Sequence, residues 1–303
     1  MTQTYQTRRR HFDAYLSLRG LRHHVLRWGQ PQAELPPLVL LHGWMDVGAS
    51  FQFVVDAMHA IGGAEREVIA LDWRGFGESA ASGSDSYWFP DYLGDLDALL
   101  DAVSPSRPVD LVGHSMGGNI VMSYAGVRPQ RIRRLVNLEG FGLPDGVPSA
   151  APDRLAQWLD ELKNPPTLRP YADLNEVAAR LMKNNPRLPA DKATWLAGHW
   201  ARPVDAGYEL QADPAHKLAN PMLYRKAEVL ACWQRISAPT LWVEGSEDQL
   251  TRFWRGRYPR DEFESRLAVV PTLERTVLQD AGHMLHHDQP EALAAVLDRF
   301  LAG

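Results

Sequence analysis

Short apolar runs alternate along this chain with longer segments of helical period. Ala14–Leu18 and Arg22–Trp28 flank Leu18-Arg19-Gly20-Leu21 and predict an antiparallel hairpin. The runs Leu38–Leu41, Glu67–Leu71, Val109–Val112, Leu135–Leu138, Pro239–Val243 and Arg275–Gln279 follow, most of them nearly continuous in apolar residues. That is the pattern of strands covered on both faces. Between them, Ser50–Ala60, Phe89–Val103 and Gly117–Val127 read as helices, and Pro290-Glu291 opens a last helix running to Phe300. Strands alternating with helices predict an α/β fold, with a mostly parallel central sheet flanked by helices. Functional groups in such sheets gather beyond the C-terminal strand ends.

The alternation lapses between about Pro144 and Gln234. This stretch is dense in proline, opening Pro144-Asp145-Gly146-Val147-Pro148. It holds helix-like segments at Asp153–Lys163, Leu174–Asn184 and Ala190–Ala201, and no strand candidate. A span of about 90 residues far exceeds an ordinary strand-to-helix connection. Residues 144–234 therefore read as a helical cap inserted into a core made of 1–143 and 235–303.

Length and charge narrow the function. The 303 residues suffice for one large domain with an insertion. A net charge of −5 without a dense basic face argues against a nucleic-acid partner. One cysteine, Cys232, allows no intramolecular disulfide. Arg8-Arg9-Arg10 is followed by no apolar run, and no stretch has membrane-spanning length, so a cytoplasmic protein without membrane insertion is expected.

The most specific local signal is Gly113-His114-Ser115-Met116-Gly117-Gly118, set between a predicted strand and a predicted helix. A serine at such a sharp turn is lifted clear of the sheet, and the N–H of the next residue, Met116, is left free for an oxyanion. A serine hydroxyl needs a base, and the base needs an orienting acid. His283, in Asp280-Ala281-Gly282-His283 after the last predicted strand, has the position of the base. Two acids compete. Asp248, after the strand ending in Val243, satisfies the chain order Ser…Asp…His. Glu139, ending Leu135-Val136-Asn137-Leu138-Glu139, sits on the same rim and is the alternative; Glu247 adjoins Asp248.

Leu40-Leu41-His42-Gly43-Trp44 ends another strand, so the N–H of Trp44 is the expected second oxyanion donor beside that of Met116, with His42 bracing the loop. The Trp44 and Phe141 side chains are expected to line a substrate pocket. His286, His287 and Asp288 lack metal-motif spacing, and neither metal nor organic cofactor is expected.

The motifs His42-Gly43-Trp44, Asp72-Trp73-Arg74-Gly75-Phe76-Gly77-Glu78-Ser79, Gly113–Gly118 and Gly282-His283 together resemble the α/β-hydrolase superfamily, in particular its cap-bearing, esterase-like members. Asn184-Asn185-Pro186-Arg187-Leu188 and Leu210-Gln211-Ala212-Asp213-Pro214 are similar to serine hydrolase-like proteins. The resemblance implies that Asp72–Ser79 is a structural loop beside the site. Certain haloalkane dehalogenases place the acid after the earlier strand, which keeps Glu139 open. Epoxide hydrolases and haloalkane dehalogenases carry aspartate where Ser115 stands, so neither activity is expected. The implied reaction is hydrolysis of an ester of a small to medium apolar substrate through an acyl-enzyme. C–C bond cleavage or lactone hydrolysis by the same triad, and ligand binding without turnover, are the alternatives. Trp158, Trp195, Trp200, Tyr208 and Tyr224 offer aromatic surface in the cap. Arg169, Arg202 and Arg225 read as solvated charges, with carboxylate binding as their alternative role.

Overall fold

The computed structural model describes residues 4–303. In chain order the elements are β1 (Phe12–Leu18), β2 (Leu21–Trp28), β3 (Leu38–Leu41), α1 (Gln52–Ala60), β4 (Val68–Leu71), α2 (Phe89–Val103), β5 (Val109–His114), α3 (Met116–Val127) and β6 (Ile132–Leu138). The insertion carries α4 (Ala151–Lys163), α5 (Leu174–Asn184), α6 (Ala190–Trp200), β7 (Ala201–Val204) and β8 (Gly207–Leu210). Then come α7 (Lys226–Trp233), β9 (Thr240–Gly245), α8 (Gln249–Trp254), α9 (Arg260–Leu267), β10 (Leu273–Leu278), α10 (Leu285–Asp288) and α11 (Pro290–Ala302).

Eight strands form one sheet in the order β1-β2-β4-β3-β5-β6-β9-β10. β1 and β2 pair antiparallel, β2 joins β4 antiparallel, and every later pairing is parallel. Side chains alternate between two apolar layers with the period of a strand. Val39, Leu41, Ile69, Leu71, Leu111 and Trp242 face the layer shared with α2 and α3. Leu38, Leu40, Val68, Ala70, Val112 and Leu241 face the layer shared with α1 and α11. The central strands are buried on both sides, which explains their continuous apolar runs. The mostly parallel α/β architecture expected from sequence is the one observed.

The order also locates the crevice. From β3 the chain moves to β4 on one side, and β5 returns to lie on the other, so adjacent connections leave in opposite directions at the β3–β5 boundary. Ligand sites in open α/β sheets form at such switch points. Trp44 follows β3 and Ser115 follows β5.

The stretch between β6 and β9 differs from expectation in two ways. It contains a hairpin, β7–β8, where no strand was anticipated. Four-residue strands with Pro203 inside the first give too little alternation to read, and proline is tolerated because this two-stranded ribbon leaves it an unpaired edge. In addition, α7, counted with the insertion from sequence, packs on the core: its Trp233 is buried in the same layer as the α3 side chains Ile120, Val121 and Met122. The insertion has its own small apolar cluster, with Val177, Leu181, Leu188, Leu196 and Leu210 packed around Phe53 of α1. Among the described residues no helix is long and apolar enough to cross a membrane.

Candidate active site

The nucleophile turn follows from two close backbone approaches. A Cβ on Gly113 would lie 2.3 Å from the Gly117 carbonyl oxygen, and one on Gly117 would lie 2.3 Å from that of Leu41. Only glycine at both places lets β5 turn this sharply into α3. Ser115 takes the strain itself, at φ 52° and ψ −113°. Such a conformation costs on the order of 1–3 kcal/mol and persists where surrounding structure fixes it. Here the Ser115 N–H donates to the Leu138 carbonyl at 2.8 Å, tying the turn to the end of β6.

Three side chains meet above that turn. His283 Nε2 lies 2.9 Å from Ser115 Oγ, and His283 Nδ1 lies 3.0 Å from a carboxylate oxygen of Glu139. The other Glu139 oxygen accepts the Gly245 N–H at 2.8 Å. Glu139 is 2% exposed and sits at φ 55°, in the left-handed region. Asn137 braces this strained turn, accepting the Gly140 N–H at 2.8 Å and donating to the Gly140 carbonyl at 3.2 Å. Burial pushes the Glu139 carboxyl above its ordinary value, against the hydrogen bonds from His283 and Gly245 that favour the anion.

The structure thus brings together Ser115, His283 and Glu139, and leaves out Asp248, which chain order favours. Asp248 is solvent-exposed and caps α8: its carboxylate accepts the Thr251 N–H at 3.1 Å and the Thr251 hydroxyl at 2.6 Å. The physical reason is strand adjacency. β6 and β9 are neighbours, so the ends of both face the loop that carries His283. Glu139 turns into that space, and β9 ends in Gly245, which supplies an N–H and no side chain. Glu247 also lies apart, paired with Arg187 at 2.5 Å.

Around this line the backbone is held by histidines that do not reach Ser115. His114 Nε2 bonds the His283 carbonyl at 2.8 Å, and burial holds this imidazole well below its ordinary pKa. His42 Nδ1 meets the Gly43 carbonyl at 2.7 Å while its Nε2 accepts the Trp73 N–H at 3.1 Å, so it braces the loop as expected. A Cβ on Gly43 would stand 3.1 Å from Ser115 Cβ, so the loop bearing the Trp44 N–H passes directly against the nucleophile. Met116 opens α3, and a first-turn N–H has no intrahelical acceptor.

The loop Asp72–Ser79 is structural. Asp72 accepts from His24 Nδ1 at 2.7 Å, from the Gly48 N–H at 2.7 Å and from the Glu78 N–H at 3.1 Å. Arg74 grips Asp95 with two bonds of 2.6 Å. Asp46, His114 and His286, all buried, bring ligand-type atoms within 4.8 Å of one another, and Asp46 Oδ2 is 3.8 Å from His286 Nε2. Tetrahedral zinc with bonds of about 2.1 Å needs donor separations of about 3.4 Å, so this set is loose for a metal.

A cavity of about 370 Å³ opens beside His283 between core and insertion. Trp44 lines it, half-exposed, its indole N–H donating to the His216 carbonyl at 3.2 Å. Phe141 does not. It is buried against Trp242 and Phe263 on the inner side of the sheet, because the chain turns back under the rim after Glu139. Sequence reasoning missed Phe253 of α8, which stands edge-on over the His283 ring at 4.8 Å between centroids. The loop Asn184–Leu188, singled out in the sequence only as a resemblance motif, crosses the mouth: Asn185 Nδ2 donates to Asp288 at 2.7 Å, and the other Asp288 oxygen accepts the Gly282 N–H at 2.8 Å. Of the aromatic residues noted in the insertion, Trp200 lines the cavity, whereas Trp158 donates to Ser86 and Trp195 packs on Tyr5 and Phe53.

Comparison with known proteins agrees with this fold. The family model described as the alpha/beta hydrolase fold matches residues 36–290. The chain belongs to the α/β-hydrolase family. Within that family, a serine hydrolase-like protein of Danio rerio is 24% identical over 286 residues, covering 90% of this chain and 83% of the relative. The cis-3-alkyl-4-alkyloxetan-2-one decarboxylase of Shewanella oneidensis is 29% identical over 257 residues, covering 77% of this chain and 75% of its own. Among solved structures, the thioesterase domain from the curacin biosynthetic pathway superposes with a TM-score of 0.82 at 25% identity, covering 95% of this α/β-hydrolase and 99% of that chain.

Proposed function

We propose that this α/β-hydrolase is a serine esterase acting on small to medium substrates with an apolar acyl group. The observation that carries the reading is the unbroken line Ser115 Oγ–His283 Nε2 at 2.9 Å and His283 Nδ1–Glu139 at 3.0 Å. Ser115 attacks the ester carbonyl and passes its proton to His283. Buried Glu139 holds the imidazole in the right tautomer and stabilises the imidazolium. The N–H groups of Met116 and Trp44 receive the oxyanion. The C–O bond then breaks, the departing alkoxide takes the proton from His283, and the acyl group remains on Ser115. Water, deprotonated by His283, attacks the acyl-enzyme and releases the acid. The insertion acts as a cap, with Leu181, Leu188, Trp200 and Leu210 forming apolar walls over the site.

Similarity to a thioesterase domain supports a second substrate class, thioesters, which would pass through the same acyl-enzyme. Hydrolysis of a p-nitrophenyl ester series from acetate to palmitate, with Ser115→Ala in parallel, tests the reading. Turnover abolished by the substitution is the expected result, with an optimum at short to medium chains. Equal turnover by wild type and Ser115→Ala would refute it.

A further inference from the structure

The mouth of the cavity carries a charge asymmetry that ester hydrolysis alone does not require. Four cationic side chains line it, Arg180, Arg187, Lys217 and Arg252, against two carboxylates, Glu247 and Asp288. Both carboxylates are already engaged. Glu247 pairs with Arg187 at 2.5 Å and accepts from Gln249 at 3.0 Å. Asp288 is held by Asn185 and by the Gly282 N–H. Arg180, Lys217 and Arg252 are exposed, and among the described residues none has a carboxylate within ion-pair distance. Lys217 Nζ reaches a neutral acceptor, the Thr167 carbonyl, at 3.0 Å.

Elsewhere in the insertion, Arg169, Arg202 and Arg225 meet Glu176, Glu209 and Glu228 respectively. Arg154, away from the cavity, reaches only the Asn220 carbonyl, so what distinguishes the mouth is that its cations without a carboxylate partner cluster around one cavity. Three cations without a carboxylate partner thus line one cavity, in a chain whose net charge is −5. A concave site with low-dielectric walls concentrates the field of such charges and draws in ligands of the opposite sign.

We propose that the substrate is amphiphilic: an ester or thioester whose apolar acyl group enters the cavity while a carboxylate or phosphate sits among Arg180, Lys217 and Arg252 at the mouth. This inference rests on the hydrolase reading and specifies its substrate class. The anion belongs either to the far end of the acyl chain or to the leaving group, and the two sources call for different probes.

The experiment compares kcat/KM for two matched pairs. Mono-p-nitrophenyl glutarate against p-nitrophenyl valerate places the charge on the acyl chain. Valeryl-coenzyme A against the valeryl thioester of N-acetylcysteamine places it on the leaving group. In one pair the anionic member is expected to be favoured by about fivefold to tenfold, an effect consistent with a few exposed charges acting together. The preference should collapse when added salt shortens the Debye length from about 10 Å at 0.1 M to about 3 Å at 1 M. It should also fall in Arg180→Gln, Lys217→Gln and Arg252→Gln. Equal or better use of the neutral member in both pairs would overturn the proposal, as would a preference indifferent to salt and to all three substitutions.

Calorimetric titration of Ser115→Ala with the glutarate and valerate esters separates the two readings. If wild type turns over none of the four substrates, the hydrolase reading fails, yet tighter binding of the glutarate ester still supports an anion-selective mouth. Equal or weaker binding of that ester, with no anionic preference in the thioester pair, removes the proposal while leaving ester hydrolysis standing.

Discussion

At the scale of single residues, the site turns on which carboxylate reaches His283. Asp248 and Glu139 are both acids just past a strand end, and chain order alone prefers Asp248. What separates them is absent from linear sequence. β6 lies beside β9, Glu139 adopts a left-handed conformation braced by Asn137, and Gly245 leaves the space into which Glu139 turns. Asp248 is spent on Thr251. Asp248→Ala is therefore expected to weaken α8 by about 1 kcal/mol, the usual cost of losing an N-cap. Urea unfolding would show that loss while kcat on a p-nitrophenyl ester stays within about twofold of wild type. The meeting of Ser115 with His283 was legible because glycine spacing and strand–turn–helix context are local properties. Phe253 was not, since an aromatic residue after Asp248 carries no signal until α8 folds over His283.

At the scale of elements, two devices hold the site in shape. The first is the loop Asp72–Ser79, fixed by the buried pair His24–Asp72. Burial alone would lower the His24 pKa and raise that of Asp72; the hydrogen bond between them reverses both. His24 is raised above 6.5, so its contribution is full below that pH and is lost as pH rises through the folded-state value. Asp72 is lowered below 3.8, so its contribution is present above that pH and is lost as pH falls through the folded-state value. Asp72→Asn should thus cost most stability between those limits, about 2–4 kcal/mol, and less at pH 9. Urea midpoints of wild type and variant across pH check the window.

The second device is the loop between α5 and α6. Asn185 holds Asp288, and Asp288 holds the backbone next to His283, so the insertion and the base share a carboxylate. Asn185→Ala is expected to raise KM about threefold to tenfold with a smaller change in kcat, read from steady-state kinetics on a medium-chain ester. An unchanged KM would show that the loop does not bear on substrate. Strong periodic elements such as α2, α3, β5 and β6 were readable to within a few residues. The β7–β8 hairpin was not, because its register is set by packing of the insertion and its strands are too short to show alternation.

For the whole molecule, the α/β class followed from alternating buried strands and helices, and the crevice followed from the strand order that alternation builds. The extent of the insertion was only partly legible. Proline density marks where regular pattern stops, but it does not show that α7 packs back on α3, a tertiary event decided by Trp233. The charge of the mouth is likewise a property of assembly. Arg180, Lys217 and Arg252 lie far apart in sequence and acquire meaning only when three separate elements meet around one cavity.

The central claim is that Ser115, His283 and Glu139 act as one unit. The rate at which a fluorophosphonate modifies the protein, followed by intact mass, tests it most directly, because phosphonylation requires an activated serine and no knowledge of the substrate. Wild type and Asp248→Asn should each gain one adduct, on Ser115, at similar rates. Glu139→Gln should react at least about a hundredfold more slowly, since loss of the orienting acid leaves the base in the wrong tautomer. A slow Asp248→Asn beside a Glu139→Gln that labels like wild type would contradict the account.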